Sequence, residues 1–287
     1  MADPIADLLD LLDLEPLEVN IYRGKNRDIG SGRVFGGQVL AQALVAARRT
    51  VDEERDAHSL HGYFILPGDL GAPIVYFVDR LRDGRSFTTR RVTAIQHGRA
   101  IFNMSASFQV RETGIEHQAA APDVPAPEEL TSEIEMVRAR ADAYPEEVRH
   151  ILTQDRPIDF RPIMPRDPWD RTYREPTRQY WIKAVGPMPH DDVLTHQAVL
   201  AYASDYGVLA TVLQPHGLRI RERGLQVASL DHAIWFHRAM RMDDWLLYVI
   251  DSPAAAGSRG FARGCIYARS GELVASIAQE GLTRLRR

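Results

Sequence analysis

Asp205 is the residue of this chain whose type and position are best suited to chemistry. It lies within a run of small and apolar residues that recur at helical spacing, so a helix through this run would bury the carboxylate. The residues of that stripe are Ala198, Ala201, Tyr202, Val208 and Leu209. A buried carboxylate is costly unless it is paired or hydrogen-bonded. We therefore expect either a functional acid or an acid bonded to a nearby backbone group or arginine.

Two further polar side chains are predicted to converge on the same helix. Gln279 shares the two-residue period of Ala275 and Ile277, which places its amide on the apolar face of a strand. Ser229 shares the period of Val227, on a strand whose two faces are both mixed. An acid, an amide and a hydroxyl under one helix can hold a water molecule. The alternative for each of the two residues alone is a plain structural hydrogen bond.

Backbone and guanidinium donors form a second group of candidates. Gly36 and Gly37 immediately precede a predicted helix, where free N–H groups can bind developing negative charge. The alternative there is a tight turn that requires glycine. Arg259 and Arg263 each stand beside a glycine and could either receive phosphate groups or remain solvated. We take Gly37, Arg259 and Arg263 as candidate substrate-binding residues.

The sequence argues against a metal site, a serine triad and a bound dinucleotide. His232 and His237 are five positions apart, and His58 and His61 are three apart, so each pair faces opposite sides of a strand. No Gly-X-Ser-X-Gly motif is present. The glycine-rich segment 30–37 does not match the spacing of a dinucleotide fingerprint. We expect neither a metal ion nor a cofactor.

Composition and charge are those of an ordinary globular chain, with 45% hydrophobic and 26% charged residues among 287. The formal net charge of -4 argues against nucleic-acid binding, which favours a basic balance. Cys265 is the only cysteine, which excludes an intrachain disulfide. No apolar run reaches the roughly 18 residues of a membrane helix, and the acidic start does not resemble a signal peptide. We expect a cytoplasmic chain without stable membrane insertion.

The chain consists of two diverged copies of one unit. Segment 38–46 is echoed by segment 197–205, which sets Ala46 opposite the acid. Gln109 corresponds to Gln279, but the strand parity reverses in the first copy and points Gln109 away from the helix. We infer that the second half has kept chemistry that the first half has lost.

Each copy has the same order of elements: an extended segment, one long helix and a run of strands. In the first half the pattern predicts a helix over 37–48 and strands over 59–65, 74–80, 86–96 and 100–110. In the second half it predicts a helix over 193–213 and strands over 225–236, 245–251, 261–268 and 272–283. One helix against mostly antiparallel strands is an α+β arrangement. Each half is therefore expected to be a curved antiparallel sheet around a central helix.

Proline marks the seam between the copies. Nine of the 17 prolines lie between Pro122 and Pro176. We therefore expect an N-terminal domain over 1–115 and a proline-rich linker with a helical piece over 116–152. A C-terminal domain that carries the candidate site is expected over 153–287.

Short motifs occur in a fixed order along nearly the whole chain. They include Val34-Phe-Gly-Gly-Gln38, His58-Ser-Leu-His61, Tyr202-Ala-Ser-Asp205, Gln214-Pro-His-Gly217, Ser229-Leu-Asp-His232 and Ala278-Gln-Glu-Gly281. Together they resemble the acyl-CoA thioesterase II family. The resemblance implies a double hotdog fold, hydrolysis of fatty acyl-CoA to free acid and coenzyme A, and assembly into homodimers or homotetramers. It also implies a catalytic trio of Asp205, Ser229 and Gln279, and His58 joins the candidate substrate-binding residues.

The chemistry of a thioester suggests how such a trio would act. An activated water and some stabilisation of the oxyanion suffice, because thiolate leaves readily. Asp205 would accept the proton of the water, Ser229 and Gln279 would hold that water, and Gly37 could supply an N–H to the oxyanion from the other helix. Three alternatives stay open: direct attack by Asp205 to form an anhydride, a hotdog dehydratase, and a non-catalytic acyl-CoA binding or sensing module.

Overall fold

A computed structural model describes residues 3–167, 171–189 and 192–286. Its α-helices are α1 (Pro4–Leu12), α2 (Gly36–Arg48), α3 (Glu133–Ala139), α4 (Glu146–Thr153), α5 (Val193–Ser204) and α6 (Val208–Leu213). The strands of the first half are β1 (Glu15–Glu18), β2 (Ile21–Gly24), β3 (Arg55–Phe64), β4 (Ile74–Asp83), β5 (Phe87–Gln96) and β6 (Arg99–Val110). Those of the second half are β7 (Ile158–Pro162), β8 (Thr177–Ala184), β9 (Leu225–Ser229), β10 (Asp231–Phe236), β11 (Leu246–Ala256), β12 (Arg259–Ala268) and β13 (Leu273–Leu285).

The described strands form one antiparallel sheet that runs through both halves of the chain. Its order is β1-β2-β4-β5-β6-β3-β10-β13-β12-β11-β8-β7, and β9 pairs with β13. The halves join where β3 pairs with β10, with Leu60 opposite Ile234. Outward from this junction, each half has one junction strand, then three long strands connected by hairpins, and then two further strands. The predicted duplication is thus visible in the topology.

Each half of the sheet packs on one central helix. Helix α2 is buried from Gly37 to Ala47, and helix α5 is buried from His196 to Ser204. The two helices also pack directly against each other. A Cβ atom on Gly37 would overlap the carbonyl oxygen of Tyr202. The close approach of the two helices therefore depends on glycine at this position.

The prediction of one continuous helix over 193–213 is wrong at its centre. Helix α5 ends at Ser204, Asp205 is its C-cap, and helix α6 begins at Val208. Gly207 has a φ of 80°, a left-handed conformation that ends helices and favours glycine. The apolar periodicity continues across the break because α6 packs on the same sheet. Asp205 consequently lies at a helix end and not within a helix.

The predicted strand over 225–236 is likewise two strands. The register of pairing with β13 shifts by one residue between Ser229 and Ala233. Leu230 lies in this shift, and its carbonyl oxygen accepts a hydrogen bond from the N–H of Phe64 in β3. The chain thereby passes from pairing with β13 alone to pairing with both β3 and β13. Side chains on either side of the shift can face the same way although their sequence parity differs.

The segment between the two halves contains α3 and the start of α4. The indole N–H of Trp181 donates to the carbonyl oxygen of Pro125 at 2.9 Å, which ties this segment to the second half. The amide of Gln154, just after α4, donates to the carbonyl oxygen of Ile29 in the first half at 2.8 Å. The domain boundaries stay a prediction. Among the helices of the described ranges, none has the length and apolar character needed to cross a membrane.

Substitution of Gly37 by alanine tests the close contact between α2 and α5. The added methyl group meets the backbone of Tyr202, and overpacking of this kind costs about 1–3 kcal/mol. We expect the urea midpoint of Gly37→Ala to fall accordingly. Gly114→Ala is the matched control, because a Cβ there would meet nothing within 4 Å. Equal midpoints for the two variants would contradict the close helix contact.

Candidate active site

Asp205 lies at the junction of α5 and α6, with only 7% of its side chain exposed. Its Oδ2 accepts a hydrogen bond from the N–H of Gly37 at 2.9 Å. Its Oδ1 accepts one from Nε2 of Gln279, also at 2.9 Å. Both donors are uncharged, and carboxylate oxygens have further lone pairs that can accept from another donor. The buried acid is therefore hydrogen-bonded and still able to accept a proton.

The N-terminus of α2 reaches Asp205 because two glycines leave room for it. A Cβ on Gly36 would lie 2.8 Å from Oδ2, and a Cβ on Gly37 would overlap the backbone of Tyr202. The first N–H groups of a helix lack partners within the helix and form the positive end of its dipole. The anion-binding turn that the sequence suggests is thus present. In this structure the anion it meets is a carboxylate from the other half of the chain.

Gln279 connects the acid to the hydroxyl group of Ser229. Its Nε2 donates to Oδ1 of Asp205 at 2.9 Å and to Oγ of Ser229 at 2.7 Å. The amide side chain is almost fully buried. Because Oγ of Ser229 accepts from the amide, its own O–H is available as a donor. The structure therefore brings together the three residues that the sequence places under one helix.

His232 lies directly behind Gln279, a position that the sequence patterns above did not reveal. Its Nδ1 lies 3.0 Å from Oε1 of Gln279, and its Nε2 lies 2.9 Å from Oγ of Ser204. Burial lowers the pKa of His232, against the smaller opposing effect of the Asp205 carboxylate. A neutral ring with its hydrogen on Nδ1 donates to the amide oxygen, and its Nε2 faces the Ser204 hydroxyl, whose one hydrogen can go to this nitrogen or to the carbonyl oxygen of Ala201 at 3.0 Å. This hydrogen bond fixes which end of the amide points at the acid.

One sequence signal could have identified His232. It shares the two-residue period of the apolar residues Ile234 and Phe236, and all three are buried. A histidine on the apolar face of a strand needs polar partners inside the core. The partner could not be named from parity, because the register shift before Ala233 brings Ser229 and His232 to the same amide. Three residues of separation would otherwise put their side chains on opposite faces.

The remaining candidate residues lie apart from this cluster and have polar partners of their own. Nε2 of His58 lies 2.8 Å from Oγ of Ser107 in β6. Arg259 pairs with an acid of β13 at 2.9 Å, and Arg263 pairs with an acid of β11 at 3.0 Å. Both guanidinium groups are more than half exposed. The phosphate contacts predicted for them would have to compete with these ion pairs.

The equivalent positions of the first half carry no comparable cluster. Ala46 is fully buried and offers no acid. Phe108 is buried on the side of β6 that faces the helix, so its neighbour Gln109 points to the other side, as predicted. Nε2 of Gln109 lies 3.4 Å from a carboxylate oxygen of Glu112. The polar cluster around Asp205 therefore has no counterpart at the matching positions of the first half.

A continuous antiparallel sheet that wraps two adjacent central helices is a double hotdog fold, as the family resemblance implies. A solved protein of unknown function with a hot dog fold from Alicyclobacillus acidocaldarius superposes with a TM-score of 0.77. That similarity covers 97% of this chain and 98% of the other, at 20% identity. At this identity the similarity shows the fold alone.

Closer relatives define the class of enzyme. A family model described as acyl-CoA thioesterase matches residues 148–282, and one described as acyl-CoA thioesterase N-terminal domain matches residues 25–109. Acyl-CoA thioesterase 2 of Haemophilus influenzae is 43% identical over 285 residues, which cover 99% of each chain. A crystal structure of an acyl-CoA thioesterase II from Mycobacterium marinum is also 43% identical, with a TM-score of 0.79 over 97% of this chain and 98% of that one. The chain belongs to the acyl-CoA thioesterase family, and it is a thioester hydrolase.

The buried histidine should make the stability of this protein depend on pH. The unfolded chain takes up a proton near the ordinary histidine pKa of about 6.5, whereas the folded chain keeps His232 neutral because its pKa is lowered. The free energy of unfolding should therefore fall as the pH decreases through that value. In His232→Asn, the part of this decrease in the free energy of unfolding that comes from His232 should be absent. Urea titrations on either side of the histidine pKa should show a smaller decrease for the variant.

A histidine outside the core provides the control for this measurement. His117 is exposed, and His117→Asn should retain the pH dependence of the unsubstituted protein. The role of His232 would be refuted if His232→Asn lost as much stability on acidification as His117→Asn.

Proposed function

We propose that this chain hydrolyses fatty acyl-CoA to the free acid and coenzyme A, with Asp205 as the general base. The observation that supports this most is a buried carboxylate held by one donor from each half of the chain, Gly37 and Gln279. A thioester carbonyl is electrophilic and its thiolate leaves readily, so a held water and a base suffice. Family membership supports the same reaction.

The trio would act on one water molecule. The water oxygen attacks the carbonyl carbon of the thioester while Asp205 accepts a proton from it. The carbon–sulfur bond then breaks, and the proton passes to the coenzyme A thiolate. Ser229 has an O–H free to bind the water because Gln279 donates to its Oγ. Gln279, fixed from behind by His232, keeps the acid and the hydroxyl at a set separation.

Gly37 has a different part in this proposal from the one that the sequence suggests. Its single N–H hydrogen is directed at Oδ2 of Asp205 at 2.9 Å. We therefore assign Gly37 to holding the base in place, instead of donating to the oxyanion. The positive end of the α2 dipole also attracts the carboxylate at this position. The first half of the chain thus contributes to a site whose other polar groups come from the second half.

Direct attack by Asp205 on the thioester is the competing mechanism. It would form an anhydride between the acyl group and the carboxylate, which water would then open. A single turnover in labelled water distinguishes the two mechanisms. A general base leaves the label only in the released fatty acid, whereas opening of the anhydride at the aspartyl carbon puts label into Asp205. Mass spectrometry of the peptide that contains Asp205 reads this out.

We include assembly of chains and a cytoplasmic location in the proposal. Large aromatic side chains are exposed on the joined sheet, namely Tyr63, Phe77, Phe87, Trp235 and Phe261. Across the junction of β3 and β10 the rings of His61 and Trp235 are in contact, with 4.9 Å between their centroids, and contiguous exposed aromatic surface is typical of a surface that another chain covers. This supports a homodimer or homotetramer. Acyl-CoA is an intracellular metabolite, which supports the location.

Substitution of Asp205 by asparagine tests the proposed base. Asparagine keeps the shape of the side chain but cannot accept a proton, so we expect turnover of acyl-CoA to fall by at least ~10²-fold. Release of coenzyme A thiol measures turnover, and circular dichroism verifies the fold. Asp79→Asn is a matched control, because Asp79 is a surface acid paired with Arg91. Near-normal turnover in well-folded Asp205→Asn would refute the assignment.

Alanine at Ser229 or Gln279 should lower kcat more than it changes KM. Both side chains are proposed to position the water and not the acyl chain, and loss of such a group acts on the transition state. Ser229→Thr retains the hydroxyl and should keep much of the activity. Steady-state kinetics of the three variants test this. If the alanine variants changed only KM, these side chains would belong to the substrate-binding pocket.

A further inference from the structure

A cavity of about 320 Å³ lies beside the candidate active site, between the two halves of the chain and the segment that connects them. The first half contributes Arg27 and Ile29 to its wall, the connecting segment contributes residues from 151 to 157, and the second half contributes residues from 218 to 221. Tyr206 and Gly207 also line it. These two residues directly follow Asp205, so the cavity begins next to the proposed base.

Hydrogen bonds across the wall hold the three segments together. The amide of Gln154 donates to the carbonyl oxygen of Ile29 at 2.8 Å. The guanidinium group of Arg221 donates to the carbonyl oxygen of Gly30, also at 2.8 Å. The loop of the first half is thus bound from both sides. These hydrogen bonds therefore hold the wall of the cavity in place in the folded chain.

The inner wall of the cavity is aromatic and continues toward the acid. The rings of Phe160 and Tyr206 lie 5.2 Å apart, and those of Tyr202 and Tyr206 lie 5.9 Å apart. Phe35 packs on both tyrosines, at 5.2 and 4.7 Å between ring centroids. Phe35 is also the N-cap of α2, the helix that binds Asp205 through Gly37. An apolar or amide-bearing chain could follow this aromatic surface to the proposed base.

The outer wall carries an excess of positive charge. Among the described residues that line the cavity, six are arginines and two are acids, Glu133 and Asp155. Arg219 pairs with Glu222 at 3.2 Å, and two other arginines have longer ion pairs. Arg156 lies 3.5 Å from Glu133, and Arg27 lies 4.0 Å from an acid of α1. An arginine excess around a cavity of this size suits a ligand with several negative charges.

Three of the arginines are close enough to the aromatic wall to affect its side chains. Burial raises the pKa of Tyr206, and the positive charges of Arg156 and Arg27 oppose that rise. Arg178 lies over the ring of Tyr180 at 5.2 Å. The positive charges thus approach the aromatic wall, so one ligand could touch both.

We propose that this cavity binds the coenzyme A arm of the substrate, with its arginines on the phosphate groups and its aromatic wall along the pantetheine chain. The inference rests on the proposed hydrolysis of acyl-CoA. A guanidinium group can donate two parallel hydrogen bonds to the oxygens of a phosphate group, whereas an aliphatic acyl chain has no acceptor for them. The acyl chain therefore leaves the thioester in another direction. The phosphate contacts that the sequence suggests for Arg259 and Arg263 fall instead to Arg156 and Arg178.

Two substrates that share one acyl group test this proposal. One is the acyl-CoA, and the other is the acyl thioester of N-acetylcysteamine, which lacks the phosphate groups. For Arg156→Gln/Arg178→Gln we expect the KM for acyl-CoA to rise at least ~10-fold, since each charged hydrogen bond contributes to binding. The kcat and the kcat/KM for the short thioester should stay within about twofold. Arg91 is a surface arginine paired with Asp79. Arg91→Gln should leave the kcat and KM for both substrates unchanged.

Binding of the adenosine bisphosphate that forms the nucleotide end of coenzyme A gives a readout independent of turnover. Calorimetry should show binding to the unsubstituted protein and a loss of at least ~10-fold in the double variant. Equal affinity in the two proteins, or an unchanged KM for acyl-CoA, would overturn the proposal. An equal rise in KM for both thioesters would also overturn it and would assign the cavity to the acyl chain. Absence of thiol release from either substrate would refute the proposed function, while the calorimetry would still decide the cavity.

Discussion

The hydrogen bond from the Gly37 N–H to the Asp205 carboxylate is the interaction on which the rest of this structure depends. It joins residues 168 positions apart in the sequence and bridges the two halves of the chain. A carboxylate that is 7% exposed needs hydrogen-bond donors. Asp205 accepts one hydrogen bond from a backbone N–H at a helix end and one from the side-chain amide of a strand residue. Neither donor is on the helix that carries the acid. The acid can therefore remain buried only while both halves hold their relative position.

Gln279 extends that constraint from the acid to the sheet. One end of its amide donates to Asp205 and Ser229, and the other end accepts from His232. If the amide turned over, its oxygen would face the carboxylate and its donors would face a ring hydrogen. Burial keeps His232 neutral and Ser204 supplies its second partner. A histidine outside the proposed catalytic trio thus determines the orientation of an amide within it.

The sequence patterns predicted most of this fold because its main elements have strong periodicity. The order of helix and strands in each half, the inward amide of Gln279 and the outward side chain of Gln109 all followed from a period of two or of 3.6. Two elements were predicted to be longer than they are in the structure. A single left-handed glycine, Gly207, ends a helix whose apolar pattern continues, and a one-residue register shift divides a strand. The register shift is set by pairing between strands, which a local pattern cannot report, whereas Gly207 is a local stop signal that the continuing apolar pattern obscured.

The difference between the two copies explains why the polar cluster around Asp205 has no counterpart at the matching positions of the first half. Aligning segment 38–46 with segment 197–205 makes His196 the counterpart of Gly37 and Ala46 the counterpart of Asp205. The imidazole of His196 is buried and accepts the N–H of Met242 at 3.0 Å. The backbone N–H of His196 donates to the carbonyl oxygen of Asp192 at 3.3 Å, whereas that of Gly37 donates to the acid, and a methyl group replaces the acid in the first half. Restoring the acid alone would not recreate the site, because the N–H group at the helix end would still be bonded within its own helix.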